Sequence, residues 1–93
     1  MEEQKLEKLL VKQVKACGGI APKLLCPGFD GMPDRLLLLP GGKCGFVEVK
    51  RFGQKPRPLQ TARHELLRRL GFQIHVLDKP EQIEVIIREI SAA

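Results

Sequence analysis

Ninety-three residues make one small domain, with little room for a second core. Sixteen Lys and Arg against eleven Asp and Glu give a net charge of +5, which suits a polyanionic partner, nucleic acid first. With four Phe and no Tyr or Trp, extensive base stacking is excluded and backbone contacts are expected to dominate. Three cysteines, Cys17, Cys26 and Cys44, have no C-x-x-C spacing and exclude a disulfide scaffold or a structural zinc site. The charged Met1–Lys5 start and the lack of a run near 20 apolar residues predict an intracellular chain with no membrane span.

In chain order, residues 2–17 read as a helix. Leu6, Leu9, Leu10, Val14 and Cys17 recur at helical spacing, and Gly18-Gly19 ends the pattern. Glu7 sits one residue from the apolar stripe, and by pattern alone it is a solvated carboxylate paired with a neighbouring surface charge. Residues 20–25 read as a strand placed at a sheet edge by Pro22, with Lys23 available to phosphate or solvent. Residues 27–33 are a loop with two glycines and two prolines, and Asp30 is a turn residue in it.

The next stretch, Gly31–Lys50, is the centre of the sequence. Two apolar runs, Leu36–Leu39 and Phe46–Val49, flank Pro40-Gly41-Gly42-Lys43 and predict a β-hairpin. Asp34 opens the first run, and Glu48 and Lys50 close the second. On a strand Glu48 and Lys50 share a face. An odd-length loop, Gly41–Lys43, pairs Pro40 with Cys44, sets Leu36 opposite Glu48, and brings Asp34 to the same face; a five-residue loop leaves that face unchanged. Both faces are then mostly apolar, so the sheet is expected to be covered on both sides. Two carboxylates and a lysine at the edge of a covered sheet are costly unless they bind something. A divalent cation, Mg²⁺ or Mn²⁺, suits these hard oxygens.

Arg51–Pro58 reads as an extended connector in which Arg51, Lys55 and Arg57 concentrate charge beside the acids. Pro58 starts a helix with an expected stripe of Leu59, Ala62, Leu66 and Leu70, ended by Gly71. Gln60 lies in its first turn; His64 is on the same side and reads as polar surface. Phe72–Leu77 is an apolar strand in which His75 reads as a rim or core residue. The last helix presents Ile83, Ile86, Ile87 and Ile90, enough isoleucine to permit an oligomer interface as well as a core. The order is α-β-β-β-α-β-α.

Pro33-Asp34 followed by Glu48-Val49-Lys50 resembles the PD-(D/E)xK nuclease signature. With Lys23, Pro27-Gly28, Gly31-Met32-Pro33-Asp34-Arg35, Phe46–Lys50, Pro56-Arg57-Pro58-Leu59-Gln60 and Leu70-Gly71-Phe72, the chain resembles the VRR-NUC branch, the virus-type replication-repair nucleases. The likeness runs from Glu7 to Leu77. It implies a minimal restriction-endonuclease-like α/β fold with a mixed central sheet flanked by helices. It also implies a Mg²⁺- or Mn²⁺-dependent endodeoxyribonuclease. Asp34, Glu48, the Val49 carbonyl and an acid on the first helix would be the metal ligands; Glu7 is that acid, with Glu3 competing. Lys50 and Gln60 would complete the catalytic set. Lys23, Arg35, Arg51, Lys55 and Arg57 would meet the DNA backbone. Small stand-alone members of phages and bacteria imply a cytoplasmic homodimer acting on branched or flapped DNA such as Holliday junctions. Two other functions fit the same residues: a non-catalytic DNA-binding module, and a nuclease subunit active only beside a helicase or primase.

Overall fold

A computed structural model describes residues 1–93. Six elements follow one another: α1 (Glu3–Ala16), β1 (Arg35–Leu39), β2 (Lys43–Val49), α2 (Pro58–Arg69), β3 (Ile74–Leu77) and α3 (Gln82–Ala92). The sheet order is β1-β2-β3, with β1 antiparallel and β3 parallel to β2. A parallel neighbour needs a crossover, and α2 is that crossover. This is the expected mixed sheet flanked by helices.

The expected order of elements holds, with residues 20–25 as the outermost extended strip. They lie antiparallel to β1, bridging Ile20 to Leu38 and Lys23 to Arg35. The Ile20 N–H donates to the Leu38 carbonyl and the Leu38 N–H donates back, both at 2.9 Å; the Leu36 N–H donates to the Pro22 carbonyl at 3.1 Å. Pro22 has no N–H to return to β1, so the ladder breaks there into isolated bridges instead of a full strand.

The hairpin loop is odd in length, as expected, but it lies one residue earlier. Leu39 pairs with Lys43 and Arg35 with Val47, so the loop is Pro40–Gly42 and the pairing is shifted by two residues. Pro40 cannot donate to a ladder and moves into the turn. Gly41 and Gly42 both take positive φ, 82° and 74°, which glycine tolerates without a Cβ clash. A shift of two preserves the faces. Leu36 therefore faces Phe46, and Asp34, just before β1, falls on the Glu48 side of the sheet.

One face of the sheet is fully covered. Leu37, Leu39, Val47, Val49 and Leu77 pack with Leu6, Leu10 and Val14 of α1 and Ile83, Ile86 and Ile90 of α3. The α3 isoleucines are thus spent inside the domain: Ile83 and Ile90 are wholly buried. The other face is covered only in part, contrary to expectation. Helix α2 lies over its Glu48 end, while Leu38 and Phe72 at the hairpin end stay 38% and 41% exposed.

The buried side of α2 also differs from the expected stripe. Gln60, His64 and Leu67 are buried, whereas Leu59 and Leu70 face solvent. The period is right and the phase is turned by about one residue, roughly 100°. The polar residues go inward because a buried carboxylate on β2 is waiting for them.

Candidate active site

The candidate site lies at the end of β2, with Glu48 in the strand and Lys50 just past it. Glu48 is 1% exposed and Lys50 is 8% exposed. The backbone stays on its ladder to the end, since the Lys50 N–H still donates to the Leu77 carbonyl at 2.9 Å. Asp34 comes in from just before the neighbouring strand β1, and its Oδ2 accepts the Val49 N–H at 2.8 Å. That bond ties the entrance of β1 to the exit of β2 and lays the Asp34 carboxyl against Glu48.

From the other side α2 meets both oxygens of Glu48. Gln60 Nε2 donates to Oε2 at 3.2 Å, and His64 Nε2 lies 3.3 Å from Oε1. The Gln60 amide is oriented by its own oxygen, which accepts the Arg57 N–H at 2.8 Å. That is the glutamine half of a capping box, and it leaves the NH₂ group no choice but to face Glu48.

This packing makes Glu48 a high-energy carboxylate. Its pKa rises from 4.5 to about 8, first through burial, then through the hydrogen bond and the charge of Asp34; Lys50 and Arg57 oppose the rise. His64 moves the other way. Burial, then the cations Arg68 and Lys50, lower its pKa, with Asp34 pulling back. Both shifts favour neutral forms, so His64 and Glu48 share one hydrogen bond and not an ion pair.

Asp34, Glu48 and Gln60 therefore converge, Val49 is tied in through its N–H, and Lys50 follows directly along the chain. Glu7 is placed differently. Its Oε1 is paired with Arg35 Nε at 3.0 Å, and Arg35 also donates to the Ala21 carbonyl at 3.1 Å. No group of three or more acids, histidines or cysteines stands close enough to hold a metal. Arg35 is thereby an intramolecular partner of Glu7, half-buried, in place of a free phosphate contact. Glu3, on the first turn of α1, makes no side-chain hydrogen bond or ion pair. Lys23, Arg51, Lys55 and Arg57 are exposed as expected. The connector after Lys50 is not simply extended: it turns at Arg51–Gln54, where the Gln54 N–H donates to the Arg51 carbonyl at 2.9 Å. His64 is the residue sequence reading placed wrongly, on the surface. Its spacing of four from Gln60 was the available signal, since i and i+4 side chains share a helix face.

Asp34 and Glu48 offer two carboxylates, the oxygen-donor type that suits a hard divalent cation. Two carboxylates in contact, one buried and pushed toward neutrality, need either a proton or a cation between them.

No protein-family model matches the chain. A curated relative, "Putative nuclease p44" of Acyrthosiphon pisum secondary endosymbiont phage 1, is 45% identical over 86 residues, which span 92% of each protein. A solved structure described as a VRR_NUC domain superposes with a TM-score of 0.87 at 36% identity, over 92% of this chain and 94% of that one. Three helices around a mixed sheet, with Pro33-Asp34 and Glu48-Val49-Lys50 meeting at one end, define a minimal PD-(D/E)xK-type α/β domain. The chain belongs to the VRR-NUC family.

Proposed function

We propose that this chain is a metal-dependent endodeoxyribonuclease that hydrolyses phosphodiester bonds in branched or flapped DNA, during replication, recombination or repair in a bacterial or phage-infected cell. The observation that carries the reading is Glu48, buried, pushed to about 8, and pressed against Asp34 with Lys50 beside it. A domain with only a structural task gains nothing from that arrangement. The names of the phage relative and of the solved domain agree with it.

In this reading Asp34, Glu48 and the Val49 carbonyl would hold Mg²⁺ or Mn²⁺, with Glu7 joining on release from Arg35. The cation, when bound, lowers the pKa of a water and screens charge that grows on phosphorus. Lys50 orients the nucleophile and stabilises the negative charge of the transition state. Lys50 follows Glu48 by two residues and is 8% exposed, and its charge opposes the rise in the Glu48 pKa. Gln60 fixes Glu48. Lys23, Arg51, Lys55 and Arg57 hold the DNA backbone and orient it without reading sequence. A homodimer would offer two such sites, one for each strand of a symmetric junction.

Purified protein incubated with linear, flapped and four-way DNA, in Mg²⁺, Mn²⁺ or EDTA, tests the proposal. Cleavage of the branched substrates with either metal and none in EDTA is the expected result. Undiminished cleavage in EDTA overturns the metal. Salt-dependent binding with no cleavage under any condition identifies a DNA-binding module instead.

A further inference from the structure

We propose that His64 is a positioning residue that, together with Gln60, sets the plane of the Glu48 carboxylate for its cation. The inference rests on the nuclease reading and adds a residue to it.

A glutamate at the end of a strand is poorly fixed by its own covalent structure. Rotation about its last torsion is broad and nearly two-fold, so the backbone alone does not decide where the carboxylate plane lies. One hydrogen bond to one oxygen still leaves the group free to swing about that oxygen. Two bonds, one to each oxygen, remove the freedom. Here Gln60 holds Oε2 at 3.2 Å and His64 meets Oε1 at 3.3 Å. The two side chains are four residues apart on one helix, so they form a single rigid fork.

The fork is itself anchored. Gln60 is locked by the Arg57 N–H, and His64 is 3% exposed with Leu67 buried one turn on. A histidine so buried usually answers to a partner, and its hydrogen-bonding partner here is Glu48. Each carboxylate oxygen has two acceptor directions, so the fork occupies one on each and leaves the other open. Residues that hydrogen-bond a metal ligand orient it, and their loss commonly costs about 10- to 100-fold in metal affinity.

His64→Leu removes the donor at similar volume; His64→Gln returns an N–H near the place of Nε2. Mn²⁺ binding is read by calorimetry on the free protein, and cleavage of flapped DNA is read as a function of Mn²⁺. His64→Leu is expected to weaken Mn²⁺ binding about 10- to 100-fold. The Mn²⁺ needed for half-maximal cleavage should rise by the same factor, with the rate at saturating Mn²⁺ changed little. His64→Gln should bind within about threefold of the parent, a rescue that a residue acting only through packing does not give. If the leucine variant fails to fold, imidazole ¹⁵N shifts of the parent protein in Mg²⁺ decide: a neutral ring with its proton on Nε2 supports the fork, and a proton on Nδ1 overturns it. Parental Mn²⁺ affinity in a folded His64→Leu overturns the role of His64 while leaving the nuclease intact. A parent protein that binds no Mn²⁺ overturns both.

Discussion

Glu48 is held at 1% exposure between one other carboxyl and two polar side chains, so its proton affinity is high. This has a direct consequence for the metal-free protein. The folded pKa, about 8, lies above the ordinary value of 4.5, so folding favours the protonated form. The stabilisation is full below the unfolded value and is lost as pH rises through the folded one. Above pH 7 the histidines add only a small opposing slope, since burial lowers both His64 and His75 from 6.5 and only a minority of unfolded imidazoles still carries a proton. In EDTA the domain should lose about 1 kcal/mol of stability between pH 7 and pH 9. Glu48→Gln should flatten that slope. Urea midpoints across the interval measure it, and a slope unchanged by the substitution contradicts the raised pKa. Lys50 carries the complementary prediction. An interaction formed only in the transition state lowers turnover and not binding. Lys50→Ala should keep DNA affinity while cleavage falls about 100- to 1,000-fold. Equal cleavage by the two proteins removes Lys50 from the mechanism.

At the scale of elements, the sequence was clearest where backbone chemistry left one solution. The Gly18-Gly19 stop, Pro58 at the start of α2, and an odd loop through Gly41-Gly42 all follow from glycine and proline geometry. The parity of that loop alone places Asp34 and Glu48 on one face, even though the pairing itself is displaced by two. The phase of α2 was hidden for a physical reason. Leu59, Leu66 and Leu70 outweigh Gln60 and His64 by hydrophobicity, but the buried partner that reverses the choice lies on β2, twelve and sixteen residues away. The Glu7–Arg35 pair was equally invisible, because partners 28 positions apart leave no local signal. Gly19 makes a sharp element-scale test. A Cβ there would lie 2.5 Å from the Leu38 carbonyl and 2.9 Å from Leu39 Cδ2. The backbone oxygen cannot step aside without breaking the Ile20–Leu38 bridge. Gly19→Ala should therefore destabilise by about 1–3 kcal/mol. The change should appear as lost protection of the Ile20 and Leu38 amides in hydrogen exchange. Unaltered exchange at both amides would show that the edge strip does not depend on this contact.

At the scale of the molecule, what remains unsatisfied is the hairpin end of the sheet. No helix is long and apolar enough to cross a membrane, so the bare apolar face there is not part of a helical span. Cross-strand pairing joins its members: Ile20 lies beside Leu38, Leu38 beside Cys44, and Leu36 beside Phe46, whose ring meets the edge of Phe72 at 5.6 Å. Ile20, Leu38 and Phe72 are 58%, 38% and 41% exposed. A continuous apolar band of this kind on a 93-residue domain is better buried than solvated. The proposed homodimer would supply the cover, since a two-fold axis through the band would present the same residues to themselves. Among the exposed cations, Lys23 lies on the edge strip and Arg51, Lys55 and Arg57 on the connector, so a shared band leaves charge free on both copies to follow DNA. Light scattering should then give twice 10.4 kDa for the parent protein. Leu38→Glu puts a charge at the centre of the band, where desolvating it is unfavourable, and should return the mass to 10.4 kDa with the fold intact. The monomer should still nick flapped DNA, because Asp34, Glu48 and Lys50 lie within one chain. It should lose the paired incisions that resolve a four-way junction. A parent protein that runs as a monomer at micromolar concentration, yet cuts both strands of a junction together, would separate the apolar band from the activity altogether.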